Sequence, residues 1–171
     1  MRWVALAGGL FLAACAGFLT WLGAFRHVEI QERPIGPYTF AYRELPDATP
    51  ADMGRVAASL VTELSDAGAT RLRPLGVYSP DGSAQIGVAV GGGAEKLAPL
   101  GDVKLRELAA ERGMVAEFPW RMALSFVVSY VRVNPAFERY RESKGYEIAP
   151  AWVLLDGDVI VNMMPIERRT P

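Results

Sequence analysis

The feature that most constrains the fold is an internal repeat. At an offset of 75 residues, "VEIQERPIGPYTFAY" (Val28–Tyr42) lies over "VKLRELAAERGMVAE" (Val103–Glu117). Without a gap, "GVYSPDG" (Gly76–Gly82) then lies over "AWVLLDG" (Ala151–Gly157). Identities are few, but the types of element follow in the same order in both copies. The repeat therefore predicts two copies of one supersecondary unit that bury a shared core.

Each copy is predicted to be a β-β-α-β-β unit, which makes the chain α+β. Alternating apolar residues and β-branched content identify the strands, and Asp-Gly turns join the last two of each copy. In the first copy the strand, strand, helix and two hairpin strands fall at 28–31, 38–44, 50–66, 73–79 and 85–90. In the second copy they fall at 103–108, 114–118, 121–144, 151–155 and 159–164. Repeat 1 covers about 28–90, residues 91–102 form a linker, and repeat 2 covers about 103–166 within a domain of 27–171.

Helix boundaries follow from capping residues. Thr49 and Pro50 predict the start of the first helix, and Gly68 follows its end. In the second helix, Asn134-Pro135 predicts a restart with a kink, because asparagine caps a helix and proline suits its first position.

The N-terminal segment is predicted to be a single membrane-spanning helix, in a membrane anchor of residues 1–26. "WVALAGGLFLAACAGFLTWLGAF" (Trp3–Phe25) contains no charge, and 23 helical residues reach about 34 Å, enough for a hydrocarbon core of roughly 30 Å. Two alternatives are a cleaved signal peptide and lipidation of Cys15 within "LAAC". Both fit less well because the apolar run continues beyond the cysteine. The localisation expected is a single-pass membrane protein, and the side that holds the domain stays open.

Composition excludes several kinds of site. The net charge is −1 without a basic tract, so we expect no nucleic-acid partner. One cysteine and one histidine, His27, cannot form an intrachain disulfide or a zinc site of Cys/His type. We therefore expect no metal and no cofactor.

The duplicated unit resembles the GyrI-like small-molecule-binding fold, the effector-binding domain of many bacterial drug-responsive activators. The resemblance is carried by "VEIQERPIGPYTFAYREL", "VKLRELAAERGMVAEFPW", "NPAFERYRESKGY" and the final "PAWVLLDGDVIVNMMPI". A membrane-anchored subset of the family has the same layout of an N-terminal span before the domain. The resemblance implies a curved antiparallel sheet with helices on one face, and a groove between the repeats that takes apolar or cationic molecules. The chain departs from the family at Val153 and Leu155, where Glu-x-Tyr is common, which weakens the expectation of cation recognition and of hydrolysis.

Five residues are candidates for lining that groove. On the strand 114–118, Val115 and Glu117 face away from Met114, Ala116 and Phe118. The offset of 75 places Tyr42 opposite Glu117, and a carboxylate beside aromatic rings suits proton transfer or pairing with a cation. Aromatic residues nearby could stack on a ligand, which gives the predicted ligand-binding set Tyr42, Tyr78, Glu117, Trp120 and Trp152. The plainer alternatives are a solvated Glu117 and a core position for Trp152.

The function expected from these features is a membrane-anchored domain that binds a small amphipathic or hydrophobic molecule. A tethered protein-interaction module without a ligand is the first alternative. A hydrolase that uses Glu117 with Tyr42 or Trp120 is the second. Haem binding, known in the related SOUL group, is a third, and it would have to use His27 beside the membrane segment.

Overall fold

The computed structural model describes residues 2–46, 50–93 and 102–167, and it places three helices and eight strands in these ranges. In chain order the elements are α1 Arg2–Trp21, β1 Gln31–Ile35, β2 Tyr38–Leu45, α2 Pro50–Asp66, β3 Arg73–Tyr78, β4 Ala84–Val90, β5 Lys104–Leu108, β6 Glu111–Pro119, α3 Leu124–Lys144, β7 Ala151–Asp156 and β8 Val159–Pro165. The mixed α+β class and the duplicated β-β-α-β-β order are confirmed. The predicted cap Thr49 and linker residues 94–101 lie outside the described residues.

All eight strands form one antiparallel sheet in the order β1-β6-β8-β7-β3-β4-β2-β5. The order reads as a pseudo-twofold arrangement about the central β3–β7 pair. β1, from the first repeat, pairs with β6 of the second, and β5, from the second repeat, pairs with β2 of the first. The two repeats therefore exchange their first strands and cannot be separated into two independent sheets.

Two short connections force the sheet to curl. Only two residues, Gly36 and Pro37, join β1 to β2, so three Cα–Cα steps span at most about 11 Å. In a flat sheet these strands would lie six spacings apart, roughly 29 Å. The same mismatch applies to β5 and β6, joined by 109–110. The two edges must therefore approach each other, and they do: a Cβ on Gly36, whose φ is 73°, would lie 2.8 Å from the Ala109 carbonyl oxygen.

Helices α2 and α3 cover one face of the curled sheet, as predicted. Leu60 and Leu64 of α2 pack on Ala41 and Val88 of the first repeat. Val133 and Phe137 of α3 form a cluster with side chains of the second repeat, namely Met114, Ala116, Phe118 and Ile160. The opposite face carries its own apolar cluster, so the sheet has a core on both sides.

The predicted repeat offset of 75 is wrong for the first half of the unit. β1 and β5 begin at Gln31 and Lys104, and β2 and β6 begin at Tyr38 and Glu111, which are 73 residues apart in both cases. The final hairpin strands begin 78 and 75 residues apart. Helix α3 has 21 residues whereas α2 has 17, and the turn between the last two strands covers 79–83 in the first repeat but only 157–158 in the second, so a single gapless offset could not hold. β1 also begins three residues later than the predicted strand at 28.

The predicted restart at Asn134-Pro135 is wrong, because α3 is one helix from Leu124 to Lys144 with Pro135 inside it. Proline removes one backbone hydrogen bond and crowds the carbonyl four residues earlier. That carbonyl belongs to Val131, a residue 61% exposed, so water can replace the lost donor. Solvent access to this turn explains how the helix tolerates the proline.

Helix α1 extends away from the sheet and ends where it meets the domain. From Gly8 to Trp21 each side chain is exposed except Cys15, which is half-buried. The helix ends in a Schellman motif: Gly23 N–H donates to the Thr20 carbonyl and Ala24 N–H to that of Leu19. Leu22 is fully buried. Over the helical residues whose side chains the structure describes, no stretch is long and apolar enough to cross a membrane.

A carboxylate fastens the end of α3 to β1. Glu32 accepts hydrogen bonds from the Tyr146 hydroxyl at 2.8 Å and the Tyr140 hydroxyl at 3.0 Å, and it pairs with Arg112 at 3.1 Å. The hydrogen bond from Tyr146 is the largest cause of a lowered pKa at Glu32. Because these donors favour the charged form, the ionised carboxylate stabilises the fold.

Replacing Glu32 with glutamine is expected to destabilise the protein at pH 7, and the loss should shrink in acid. A folded-state pKa below the ordinary value of 4.5 means that the stabilisation is present above about pH 4.5 and is lost as pH falls through the lowered pKa. Urea unfolding of wild type and Glu32→Gln between pH 7 and pH 3 checks this. Glu138→Gln, on the exposed face of α3, serves as the control. A destabilisation that stays constant with pH would contradict the role of the ionised carboxylate.

Candidate functional site

The face of the sheet opposite α2 and α3 is concave and apolar, and we call it the groove face. Strands of both repeats contribute to it. Its buried cluster consists of Ile35, Phe40, Tyr42, Leu75, Val77, Ala89, Leu108, Val115, Trp152, Leu154 and Met163. Curling brings the side chains of distant strands into one cluster, which makes this face the part of the fold best shaped to enclose a small molecule.

Tyr38 reaches across the groove from one arm of the sheet, the strands β3-β4-β2-β5, to the other arm, the strands β7-β8-β6-β1. Its hydroxyl lies 3.8 Å from the sulfur of Met163 on β8, although β2 and β8 are not neighbouring strands. Its ring meets that of Trp152 edge-on, with centroids 6.4 Å apart. Tyr38 is half-buried, so it closes the groove over the buried apolar floor while remaining in contact with solvent.

A stack of two rings forms the wall on the β2 side. Phe40 and Tyr42 alternate along β2 and stack with centroids 5.1 Å apart and 16° between their planes. The Arg106 guanidinium on β5, directly opposite Phe40, lies 5.8 Å and 5.5 Å from these two ring centroids. Arg73 lies 5.6 Å from the ring of Tyr38. Two arginines therefore already cover aromatic rings of the groove face.

Ion pairs neutralise most charges on this face. Lys104 contacts Glu44 at 2.7 Å, Arg33 contacts Glu117 at 2.6 Å, and Arg73 contacts Asp156 at 3.0 Å. Each pair is at least one-third exposed, so solvent screens the attraction and each pair contributes little to stability. These ion pairs matter more for binding than for stability, because they leave few unpaired charges on this face that could interact with a ligand.

The structure brings two of the five predicted site residues together. Tyr42 and Trp152 both belong to the buried cluster of the groove face. Tyr78 and Trp120 lie on the helix-covered face instead. Tyr78 packs in the cluster around Ala57 and Ile86, and Trp120 contacts Phe126 of α3 with ring centroids 4.9 Å apart. Strand alternation explains Tyr78, because its neighbour Val77 is the residue that faces the groove.

Glu117 lies on the groove face, as the alternation on β6 predicts, but it is exposed and paired with Arg33. With the corrected spacing of 73 residues, its counterpart in the first repeat is Glu44 rather than Tyr42. The sequence suggested that Glu117 lies beside aromatic rings with little water around it. The structure instead exposes Glu117 to solvent, beside Arg33. A ligand-binding role for the five residues stays a prediction.

Several groove residues were missed. Tyr38 and Phe40 share the face of Tyr42 at a spacing of two, so the strand period alone would have found them. Arg106 could have been found only with the pairing of β5 to β2, which the sequence does not reveal. His27 is exposed in the segment between α1 and β1.

No protein-family model matches the chain, and no curated protein matches it. Solved structures do match. The EcmrR C-terminal domain has a TM-score of 0.61 at 12% identity, over 82% of this chain and 98% of that chain. SAV2435, in a structure bound to tetraphenylphosphonium, has a TM-score of 0.56 at 16% identity, over 81% and 94%. EcmrR in a complex with DNA has a TM-score of 0.66 at 11% identity, over 98% of this chain and 70% of that chain.

These likenesses are consistent with a GyrI-like effector-binding fold. At such low identity they show the fold alone. The match to the EcmrR–DNA complex spans nearly all of this chain, so it extends into α1.

Replacing Tyr38 with alanine is expected to open the groove. The variant should lose about 1–3 kcal/mol of unfolding free energy, less than a fully buried ring, because Tyr38 is half-buried. It should also bind a fluorescent apolar dye more tightly, since the side chain that spans the groove is gone. Tyr130→Ala, at a residue 60% exposed on α3, should change neither quantity measurably. Unchanged dye binding in Tyr38→Ala would show that Tyr38 does not close the groove.

Proposed function

We propose that this protein binds a small amphipathic or hydrophobic molecule on the groove face. The observation that carries the proposal is the aromatic, largely buried face to which both repeats contribute. Such a surface supplies apolar area together with a few polar groups that orient a ligand. The fold shared with SAV2435, which was solved with a bound small molecule, supports the same interpretation.

Binding requires Tyr38 to move. Its contacts with Met163 and Trp152 are a weak sulfur contact and an edge-on ring contact, and an aromatic pair contributes about 0.5–1.5 kcal/mol. A ligand that buries apolar surface in their place can offset that loss. The ligand is therefore expected to replace the Tyr38 ring over the floor formed by Leu75, Val77 and Leu154.

Two tryptophans on opposite faces provide a matched test of the site. Trp152→Phe should weaken binding of a hydrophobic ligand about 5–10-fold and reduce ligand-induced quenching of fluorescence, since an aromatic contact is worth about 1 kcal/mol. Trp120→Phe should leave both unchanged because Trp120 packs against α3. Titration of both variants with one dye checks this. If Trp120→Phe weakened binding and Trp152→Phe did not, the ligand would occupy the helix-covered face instead.

We also propose that residues 3–25 attach the domain to a lipid bilayer. The segment carries no charge, and Leu10, Phe11 and Leu12 are each more than two-thirds exposed. Exposed apolar side chains continue on the domain at Phe25 and on α3 at Val127 and Val131, and Arg132 of α3 donates to the Arg26 carbonyl beside them. These exposed apolar side chains support contact with lipid. The protein-interaction module stays the alternative prediction.

Membrane attachment predicts that the full chain stays in the membrane pellet after extraction with alkaline carbonate. Leu12→Arg should shift it toward the soluble fraction, because a charge at the centre of a membrane helix costs roughly 2.5–3.5 kcal/mol. Leu105→Arg, at an exposed leucine on edge strand β5, is the matched control. Recovery of the wild type in the carbonate supernatant would exclude an integral attachment.

A further inference from the structure

One cation on the groove face has no acidic partner among the residues that the structure describes. Alternation along the strands places four basic side chains on this face, and three of them form the ion pairs described above. The fourth is Arg106, for which the described part of the chain provides no ion pair. It is held instead by the rings of Phe40 and Tyr42. Within the described ranges, the β2–β5 wall of the groove therefore carries a positive charge that no acidic side chain pairs with.

Polar atoms on the same face lack hydrogen-bond partners. The Nε of Arg106 and the Oε1 of Gln85 are buried and have none within the described ranges. Gln85 lies on the groove face, since it is paired with Val77 on β3 and Glu44 on β2. Buried polar groups are nearly always satisfied, so each of these two atoms needs a partner from solvent or from a ligand, a donor for the Gln85 oxygen and an acceptor for the Arg106 Nε–H. Arg106 requires an acceptor, which an anion supplies.

The aromatic rings of this groove are poorly suited to an incoming cation. A cation gains about 0.5–2 kcal/mol from an aromatic face that is free. Here Arg106 lies on the Phe40–Tyr42 stack and Arg73 on the ring of Tyr38, so a second cation would meet like charge. The carboxylates Glu44, Glu117 and Asp156 are taken by ion pairs.

One acid on the groove face has no ion pair with any residue in 2–46, 50–93 or 102–167. Glu111 begins β6 opposite Ile35 on the neighbouring strand β1, in the half of the sheet that does not contain Arg106, and burial together with the nearby Glu167 raises its pKa. Because a raised pKa favours the neutral form, this carboxyl group attracts a cation less strongly than an ordinary carboxylate does. Glu111 is nevertheless the position at which a cationic ligand would be expected to bind, so the test must include it.

We propose that the groove selects anionic amphipathic molecules, whose acidic head group binds the Arg106 guanidinium while the apolar part lies over Leu75, Val77 and Leu154. The proposal rests on ligand binding at the groove face and adds the charge of the ligand. A carboxylate or a phosphate ester head group would serve equally, because both accept two parallel hydrogen bonds from a guanidinium.

Tetraphenylborate and tetraphenylphosphonium form a matched pair of probes for the sign of the ligand charge alone, since both carry four phenyl rings around one charge of opposite sign and neither offers a hydrogen-bond acceptor. The full chain in neutral phosphatidylcholine nanodiscs is titrated with each by calorimetry, with empty nanodiscs as the blank. Wild type is expected to bind the borate at least 10-fold more tightly than the phosphonium. Arg106→Gln should abolish that preference, and Arg106→Lys should retain most of it because the charge remains. Arg139→Gln, on the exposed face of α3, and Glu111→Gln should keep the wild-type preference.

Equal or tighter binding of the phosphonium by the wild type would overturn the charge selection while leaving groove binding in place. A phosphonium preference lost in Glu111→Gln would assign the site to a cation instead. An unchanged borate preference in a folded Arg106→Gln would remove Arg106 from the site. Failure of both probes to bind would count against the proposed function as well.

Discussion

Two connections of two residues each hold the sheet in its curled form, and the groove depends on them. Residues 36–37 and 109–110 link strands that would lie roughly 29 Å apart in a flat sheet. The two connections pack against each other, with the backbone of Gly36 close to the Ala109 carbonyl. Each connection runs from one arm of the sheet to the other, so the first strand of each repeat pairs with a strand of the other repeat. Neither repeat therefore forms a separate four-stranded sheet. The exchanged strands β1 and β5 make the concave face a joint product of both halves.

The two arms of the groove have the same backbone plan but different side chains. On β2, Tyr38, Phe40 and Tyr42 face the groove, whereas Glu111, Gly113 and Val115 stand at the corresponding positions of β6. The counterpart arginines also differ. Arg33 and Arg106 are counterparts, as are Glu117 and Glu44. Arg33 pairs with Glu117, whereas Glu44 pairs with Lys104, so Arg106 lies on the rings instead. The two repeats thus form a symmetric backbone frame with one aromatic, basic wall and one small, acidic wall.

Local patterns predicted the elements well. Alternation located β2 and both hairpins, and a proline followed by a distant glycine bounded α2 at Pro50–Asp66. Three features depended on information that the chain does not carry locally. The exchange of β1 and β5 is a long-range pairing, the proline in α3 was tolerated because its turn is exposed, and unequal lengths of the helices and of the hairpin turns shifted the repeat offset. The offset error moved the expected partner of Glu117 from Glu44 to Tyr42. Strand alternation places Tyr78 on the helix-covered face and Trp120 packs against α3, so only Tyr42 and Trp152 of the predicted site meet in the buried cluster of the groove face.

Strand exchange between the repeats is the central claim, and backbone nuclear Overhauser effects test it most directly. β1 and β2 are separated by only two residues, so the competing arrangement is an ordinary hairpin in which Arg33 lies opposite Phe40. The account predicts cross-peaks that place Arg33 opposite Gly113 on β6, and Phe40 opposite Arg106 on β5. Cross-peaks between Arg33 and Phe40, with none between β1 and β6, would contradict the exchange, and the shared groove would no longer follow.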